Sequence, residues 1–346
     1  MVQKNPRVSI LIPVYKVPEH FLRNCIESCI RQTIKDIEII VVDDGSPDAC
    51  GKICEEYAAY DKRIKVIHKK NGGLAAARNT AFENATGDFI TFLDGDDYLE
   101  DNACELALNC AINHKVEIVL WNQYTEFPNS SCVVKSFGDD EIEFRDEQCK
   151  ELQARVLDFN GKIAQVFCKL INKKFLLKYN IKHIDELKQG AEGFVFNIAL
   201  FEYASSAYYI PQPLLHYMYN DKSISHSSNE ENYYLILRCF EYIEQYIQNS
   251  SNKEVLIKNL YNRLMYVVVT TGITGYFNPS NSSSYKDKVK GYKKFLKEPL
   301  IQRALKNADF EGVSKQRIFI IKCVQLKQFW IIFLLAKIRR FQLAKR

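Results

Sequence analysis

Along the first hundred residues, short apolar runs alternate with longer segments whose apolar residues recur every three or four positions. The continuous runs are typical of strands buried on both faces, and the longer repeats predict amphipathic helices. The predicted strands are residues 8–12, 37–42, 64–68 and 89–93. The predicted helices between them are residues 19–32, 50–60 and 74–84. This alternation predicts an α/β fold with a doubly wound, mostly parallel sheet.

The pattern is weaker beyond residue 99, where helical and extended segments are mixed. The predicted segments there are a helix at 104–114, a strand at 117–121, an acidic variable stretch at 133–144, a helix-rich stretch at 147–179, a helix at 192–203, and strands at 208–211 and 215–219. Residues 229–273 are mostly helical in pattern, and the polar residues 278–284 are typical of a linker. We therefore expect a domain over 1–226, a helical region over 227–313 and a separate terminal segment over 314–346.

The composition is typical of a globular protein with reduced thiols. The chain has 346 residues, of which 47% are hydrophobic and 26% charged, and its mean hydropathy of −0.24 argues against a polytopic membrane protein. The first apolar run is short and interrupted by Pro13, so we expect no signal peptide. The 11 cysteines are odd in number and scattered, which favours free thiols in the cytoplasm. The spacing of Cys25 with Cys29, and of Cys50 with Cys54, leaves a zinc site as an alternative.

The net charge of +5 is concentrated at the end of the chain. After Glu311 there is no acidic residue, and the basic ones are Lys315, Arg317, Lys322, Lys327, Lys337, Arg339, Arg340, Lys345 and Arg346. The apolar run at 329–336 is too short to cross a bilayer, and basic residues flank it. The segment 314–346 therefore predicts a helix on an anionic membrane surface, with docking on the body or a partner chain as the alternative. We expect no nucleic-acid partner.

The strand at 89–93 runs directly into Asp94-Gly95-Asp96-Asp97. Unpaired charges are costly to bury, so these carboxylates should meet solvent or a cation. Ligands of open α/β sheets bind beyond the carboxyl ends of strands, where this cluster falls. Oxygen ligands at this spacing suit Mg²⁺ or Mn²⁺ shared with substrate phosphates. An ordinary turn is the alternative, because Asp and Gly are common in turns.

A second acidic turn, Asp43-Asp44-Gly45-Ser46, follows the strand at 37–42. Carboxylates at the ends of parallel strands lie at one edge of the sheet, so we expect this turn near the first. Asp44 could accept a hydrogen bond from a nucleobase imide or a ribose hydroxyl. A turn with a helix cap at Ser46 or Asp48 is compatible with that role.

A glycine pair, Gly72-Gly73, precedes an alanine-rich helix start. The glycines let the backbone approach a ligand, and the helix start predicts N–H groups that face an anion. Arg78, one turn into the helix, could bind a diphosphate through two hydrogen bonds. Neither GxGxxG nor GxxxxGK[ST] occurs here, which argues against a dinucleotide enzyme and a P-loop NTPase.

These motifs together resemble family 2 glycosyltransferases, which have the Rossmann-like GT-A fold. The matching segments are Pro13-Val14-Tyr15-Lys16, Asp43-Asp44-Gly45-Ser46, Gly72-Gly73-Leu74-Ala75-Ala76-Ala77-Arg78-Asn79 and Asp94-Gly95-Asp96-Asp97. The resemblance is strong over the first hundred residues and reaches residue 226 more weakly. It implies a nucleotide-sugar half at 1–99 and an acceptor half at 100–226.

The resemblance also implies roles for residues in the first half. Pro13, Tyr15 and Asp44 would hold the base and ribose of a nucleotide sugar, Asp43 would support its turn, and Arg78 would lie along the diphosphate. Gly72 belongs to the same expected substrate-binding set.

At the acidic turn after the strand at 89–93, Asp94 and Asp96 would be the metal-binding pair. Asp96 would touch Mn²⁺ or Mg²⁺ directly, and Asp97 is included with the substrate-binding residues. Such a metal neutralises the departing nucleoside diphosphate.

The implied reaction inverts the anomeric carbon, and a carboxylate base takes the proton of the acceptor hydroxyl. In relatives the base is commonly the Asp of a Glu-Asp pair that opens a helix. Here Glu192 is followed by Gly193, so Glu192 is the candidate base and a first-turn helix residue is the alternative. Asp185 and Glu186 are the nearest substitutes.

A lid-like segment, residues 217–226, ends in Ser-Ile-Ser-His, and His226 is expected to reach the metal or the diphosphate. An exposed loop histidine is the alternative there. The expected enzyme is a metal-dependent inverting glycosyltransferase that uses a UDP-linked sugar and a glycan or lipid-linked acceptor at the inner face of the cytoplasmic membrane. A nucleotidyltransferase acting on a sugar phosphate, or an impaired nucleotide-sugar-binding protein, are the alternatives.

Overall fold

The computed structural model describes residues 6–158, 160–219 and 230–343. The chain forms two compact units. The first comprises Met1–Gln153 with Lys162–Tyr219, and the second comprises Ala154–Gly161 with Asn220–Arg346.

The first unit contains the sheet and the helices that cover it. Its strands are β1 Val8–Val14, β2 Ile37–Asp43, β3 Ile64–His68, β4 Phe89–Phe92, β5 Tyr98–Leu99, β6 Ile118–Phe127, β7 Ser130–Val134, β8 Ile142–Arg145, β9 Lys169–Asn172 and β10 Ser206–Met218. The helices that begin in it are α1 Glu19–Ile30, α2 Cys50–Tyr60, α3 Leu74–Asn84, α4 Ala103–His114, α5 Glu147–Leu157, α6 Lys173–Lys178 and α7 Glu192–Tyr203. The C-terminal part of α5 belongs to the second unit.

Within the described part of the chain, the sheet has ten strands in the order β3-β2-β1-β4-β9-β6-β10-β5, with β7 paired to β6 and β8 to β10. Strands β1 to β4 are mutually parallel, and β6 is parallel to β10. Strand β9 is antiparallel to both β4 and β6. The predicted α/β class with a mostly parallel sheet is therefore confirmed. The chain order reverses between β1 and β4, and the crevice at such a point is where open α/β sheets bind ligands.

The core explains why the first strands read as continuous apolar runs. Every residue of β1 is buried, because helices cover both faces of this part of the sheet. Residues Val8, Ile10 and Ile12 pack in one cluster with α1, α2 and α4. The alanine-rich α3 packs against β1 and β2 through small side chains, which allow a close approach.

The cysteines suggested for zinc are core residues. Cys25, Cys29, Cys50 and Cys54 are each at most 1% exposed, and burial raises the pKa of Cys29 and Cys54 to about 12. Among the residues that the structure describes, no three His, Cys, Asp or Glu side chains form a metal-binding group. These four residues therefore pack as small apolar side chains in the reduced state.

The structure differs from the sequence prediction in the second half of the sheet. Strand β9 lies within the stretch predicted as helix-rich, and β7 and β8 occupy the ends of the variable acidic stretch. The two strands predicted at 208–211 and 215–219 form one strand, β10, whose register shifts on either side of Pro213. Bulges and prolines interrupt the alternation of apolar residues, so the pattern alone divides this strand.

Strand β9 also carries a buried cation. Lys169 is 1% exposed, and its Nζ donates to the carbonyl oxygens of Ile163, at 3.0 Å, and Gln165. Burial lowers the pKa of Lys169 to about 7. The protonated side chain therefore holds the segment before β9 in place at an electrostatic cost.

We expect replacement of Lys169 by Met to change how stability depends on pH. In the unfolded chain the amine titrates near its usual value, whereas in the folded protein it releases its proton near pH 7. The free-energy cost of burying the charged amine on folding is therefore complete below about pH 7, and it disappears as the pH rises toward about 10.5. The stability of the wild type relative to Lys169→Met should rise by roughly 2 kcal/mol from about pH 7 to about pH 9. Urea unfolding of both proteins at each pH measures this difference, and a constant difference would contradict the buried amine.

The second unit is helical in the part of the chain that the structure describes. Its further helices are α8 Glu230–Tyr246, α9 Lys253–Thr270, α10 Tyr285–Leu296, α11 Pro299–Asn307, α12 Lys315–Gln325 and α13 Phe329–Leu343. A π-helical turn, Thr271–Tyr276, continues α9. The terminal segment is thus two helices rather than one, because the chain turns at 326–328. None of the described helices is both long enough and apolar enough to span a bilayer.

Candidate active site

The carboxyl ends of β1, β2 and β4 meet at one edge of the sheet. Val14 at the end of β1 pairs with Asp43 at the end of β2, and its carbonyl accepts from the N–H of Asp44 at 2.9 Å. Leu93 donates to the carbonyl of Leu11 at 3.0 Å, so the acidic turn after β4 begins beside β1. A Cβ on Gly95 would lie 3.2 Å from the Pro13 carbonyl, which explains the glycine within this turn.

The end of β1 presents one exposed aromatic ring at this edge. Pro13 is buried, whereas Tyr15 is 43% exposed, and Lys16 Nζ lies 5.2 Å from the centre of its ring. Lys16 has a positive φ of 54° and donates its N–H to Ser46 Oγ at 3.3 Å. Ser46 therefore ties the turn after β2 to the end of β1. Asp48 accepts from Cys50 N at 3.1 Å just before α2, whose N-cap residue is Ala49.

Asp43 closes the turn after β2. Its Oδ1 accepts from Ser46 N at 2.9 Å, and its Oδ2 pairs with His68 Nδ1 at 2.9 Å. Burial raises the pKa of Asp43, but the hydrogen bonds from Ser46 and His68 outweigh it and hold the pKa below its usual value. His68 also pairs with Glu55 at 2.9 Å, and both carboxylates raise its pKa.

Asp44 is engaged by protein groups in this conformation, and its contact with a base or ribose stays a prediction. It is 2% exposed, and its oxygens accept from Lys69 Nζ at 2.8 Å, Gly72 N at 2.9 Å and Gly73 N at 2.8 Å. Asp44 therefore fixes the glycine loop to the end of β2. Lys69 was missed by the sequence analysis, because no motif distinguishes it from an exposed lysine.

The start of α3 is not an open anion site. The N–H groups of Gly72 and Gly73 bind Asp44, and Ala75 N donates to the Lys188 carbonyl at 2.8 Å. Gly73 has a φ of +92°, and a Cβ there would lie 3.1 Å from the side chain of Lys188, so only glycine fits without strain. Protein oxygens therefore occupy the N–H groups of Gly72, Gly73 and Ala75 in this conformation, and substrate binding at Gly72 stays a prediction.

Arg78 is turned inward and does not lie on a surface open to a diphosphate. It is 3% exposed, with Nη2 2.6 Å from Asp94 Oδ1 and Nη1 2.7 Å from Glu192 Oε1. Burial disfavours its charge, but the two carboxylates outweigh this and raise its pKa. This guanidinium therefore joins the turn after β4 to the start of α7 through charge-assisted hydrogen bonds.

In the acidic turn after β4, Arg78 balances one of the three carboxylates, that of Asp94. Among the described residues, Asp94 pairs with Arg78, whereas Asp96 forms no ion pair. Burial and the charge of Asp94 raise the pKa of Asp96 to about 6. Asp97 is 1% exposed and accepts from Met218 N at 2.9 Å, while its Oδ2 is buried without a partner among the described residues. Asp97 thus anchors the end of β10, and a substrate contact by it stays a prediction.

Glu192 lies at the start of α7 and is 8% exposed. Among the described residues, Arg78 is the hydrogen-bond partner of its carboxylate. The next residue, Gly193, lies against the segment that Lys169 holds, and a Cβ there would be 2.9 Å from the Ala164 carbonyl. Asn197 Nδ2 donates to the same carbonyl at 2.8 Å. An aspartate at position 193 would therefore require this segment to move, which leaves Glu192 as the carboxylate at the helix start.

Asp185 is held by a residue of α3. Its Oδ1 accepts from Asn79 Nδ2 at 2.6 Å, which satisfies one of its oxygens. His226 is outside the described residues. The sequence analysis missed His183, which is 3% exposed and stacks on Phe196 with ring centres 4.6 Å apart. Burial, followed by the charge of Arg78, lowers its pKa well below the usual range, so it is a neutral core residue.

Comparison with known proteins agrees with this architecture. A sequence model of glycosyl transferase family 2 matches residues 9–179. EpsH of Bacillus subtilis (strain 168) is 31% identical over 313 residues, which cover 87% of this chain and 86% of EpsH. YibD of Escherichia coli (strain K12) is 26% identical over 266 residues, covering 77% of this chain and 75% of YibD. The crystal structure of S. aureus TarS 1-349 in complex with UDP-GlcNAc has a TM-score of 0.64 and 19% identity, and the match covers 97% of this chain and 92% of that chain.

The protein is therefore a glycosyltransferase with the GT-A fold. It belongs to glycosyltransferase family 2, as the family model over residues 9–179 and the match to the glycosyltransferase EpsH over most of both chains show. The resemblance inferred from the four sequence motifs is thus confirmed at the level of family, fold and enzyme class.

Proposed function

We propose that this glycosyltransferase transfers a sugar from a UDP-sugar to a hydroxyl group of a glycan or lipid-linked glycan, with inversion and with the help of Mn²⁺ or Mg²⁺. The observation that carries the proposal is the Arg78 bridge. One buried guanidinium holds Asp94, next to the proposed metal ligand, and Glu192, the proposed base. The proposed metal site and the proposed base are thereby fixed relative to each other, as a displacement reaction requires.

The acidic turn after β4 fits a divalent cation. Among the described residues, the half-buried carboxylate of Asp96 has no basic partner, and the buried Asp97 Oδ2 has no hydrogen-bond partner. Carboxylate oxygens are the ligands that Mg²⁺ and Mn²⁺ prefer, and such ions keep positions for phosphate oxygens. Asp96 would hold the ion, with Asp94 oriented beside it by Arg78. When bound, the metal neutralises charge that develops on the leaving diphosphate.

A nucleotide fits the edge next to this turn. The exposed Tyr15 ring lies at the end of β1, where a base can stack on it, and Pro13 sets the path of the strand there. The structures of TarS with UDP and with UDP-GlcNAc support a UDP-sugar as the donor, since TarS shares the fold over nearly the whole chain. Asp44 holds the glycine loop beside this edge.

Glu192 is the proposed base for the acceptor hydroxyl. Its Oε1 is held by Arg78, so the carboxylate keeps one orientation, and its Oε2 is the oxygen that would accept the proton. Gly193 cannot supply this function, and Asp185 is engaged by Asn79.

The acceptor and the location belong to the same proposal. The acid-free segment after Glu311 supports peripheral contact with the inner face of the cytoplasmic membrane, where lipid-linked glycans are extended. A lipid-linked acceptor would then meet the enzyme at that surface.

A screen of sugar nucleotides tests the proposed function. We expect release of UDP from one UDP-sugar in the presence of Mn²⁺, and a loss of that release when the metal is chelated. Pyrophosphate release from a nucleoside triphosphate and a sugar phosphate would instead identify a nucleotidyltransferase. Binding of UDP without hydrolysis or transfer from any sugar nucleotide would identify a binding protein.

A further inference from the structure

The solvent side of the last helix, α13, is apolar. Trp330, Leu334 and Ile338 are 58%, 49% and 45% exposed, and we call these three residues the α13 stripe. Their spacing of four residues places them within about 80° of one another around the helix. A surface helix normally presents polar residues there, so the α13 stripe requires a physical explanation.

The opposite side of α13 is already packed. Phe329, Ile332 and Ala336 are at most 4% exposed, and the Phe329 ring lies 5.8 Å from that of Tyr292 within the second unit. The apolar run at 329–336 therefore does not enter lipid as a whole, contrary to the sequence expectation. Part of it holds the helix on the protein, and the α13 stripe is what remains for a partner.

The charges around the α13 stripe select the kind of partner. Lys327, Lys337 and Arg339 are exposed, and no acidic residue occurs after Glu311. Long basic side chains beside apolar ones suit a surface that is apolar inside and anionic at its boundary. A symmetric contact with a second copy would instead bring two acid-free basic segments together.

We propose that the α13 stripe is a docking surface for anionic lipid. Trp330, Leu334 and Ile338 enter the boundary between headgroups and acyl chains, and Lys337, which flanks them on the helix, contacts headgroup phosphates. The helix lies in the plane of the membrane surface, anchored to the second unit by its buried side. The proposed function includes contact with the membrane, and the α13 stripe is the surface that makes this contact. Only the identity of the acceptor rests on the proposed function.

Vesicle sedimentation of the full chain tests this surface. We expect the wild type to bind phosphatidylcholine vesicles that contain phosphatidylglycerol, and to bind pure phosphatidylcholine vesicles much more weakly. The triple variant Trp330→Ser, Leu334→Ser, Ile338→Ser should lose at least about tenfold in vesicle affinity. Higher salt should weaken binding of the wild type, because the headgroup contacts are electrostatic.

A matched control replaces exposed apolar residues elsewhere. Ile112, Leu177 and Val255 are 43%, 58% and 45% exposed, and their triple change to Ser should leave vesicle affinity unchanged. The proposal would be overturned if the wild type did not bind vesicles that contain phosphatidylglycerol. It would also be overturned if the stripe variant bound these vesicles as tightly as the wild type does. If the wild type were a dimer that does not bind vesicles, and the stripe variant were a monomer, the α13 stripe would instead be the contact with a second copy. The vesicle assay contains no donor, so its failure is separate from failure of UDP release.

Discussion

Replacing Asp96 with asparagine is expected to abolish metal-dependent sugar transfer without unfolding the protein. Asn keeps the size of the side chain but removes the charge that would hold the cation. Loss of a group that stabilises charge in the transition state lowers the rate by roughly a hundred- to a thousandfold. The measurement is UDP release with Mn²⁺, together with UDP affinity with and without the metal.

The folded state should tolerate Asp96→Asn for a reason visible in the structure. Burial and Asp94 disfavour the ionised form of Asp96, so a neutral amide there removes a repulsion. The denaturation midpoint at pH 7 is therefore expected to stay the same or rise. Asp139→Asn is the matched control, because that side chain is 81% exposed and pairs only with Lys135 at the surface among the described residues. Transfer by Asp96→Asn at the wild-type rate would remove Asp96 from the metal site.

The sequence predicted the nucleotide-binding half well because local signals coincide there. Helices α2 and α3 and strand β3 have the predicted bounds, and the acidic turns lie at the predicted edge of the sheet. Continuous apolar strands, helical repeats and strand-end carboxylates all indicate the same parallel arrangement. These features depend on residues close together in the chain, which a single sequence can reveal.

The contacts within the site could not be predicted in the same way. Arg78 and Glu192 are 114 positions apart, and nothing in either segment indicates that they form an ion pair. The motif predicts that Arg78 binds a diphosphate, whereas in the structure its guanidinium binds two carboxylates. A buried charge needs an opposite charge nearby, and these carboxylates supply it in this conformation. Asp44 likewise accepts hydrogen bonds from the N–H groups of Gly72 and Gly73, which the sequence of either segment does not indicate.

Strand β9 shows a further limit of sequence patterns. It has four residues, one of them the buried Lys169, and a charged residue in a short segment argues against a central strand. The lysine is tolerated because carbonyl oxygens of the preceding segment accept its hydrogen bonds. Only the three-dimensional arrangement supplies those acceptors.

Replacing Glu192 with glutamine is expected to lower turnover and to leave donor binding intact. Glutamine keeps the length of the side chain and can still accept a hydrogen bond from Arg78, but it cannot take a proton from the acceptor. We expect kcat to fall by roughly a hundred- to ten-thousandfold. Calorimetric titration with UDP and Mn²⁺ should give nearly the wild-type affinity.

A fall in kcat with nearly unchanged UDP affinity distinguishes a base from a residue that only neutralises the charge of Arg78. If Glu192 served solely as a counterion, its replacement would disturb Asp94 through the shared guanidinium, and UDP–metal affinity would fall more than kcat. Glu186→Gln and Asp185→Asn are matched controls at the nearest alternative carboxylates, and both should retain turnover. Arg78 itself is a poor probe, because its removal would leave two carboxylates without their cation and cost about 3–5 kcal/mol of stability. A large loss of kcat confined to Glu192→Gln would therefore assign proton removal to the residue beside Gly193, where the segment before β9 leaves no room for another carboxylate.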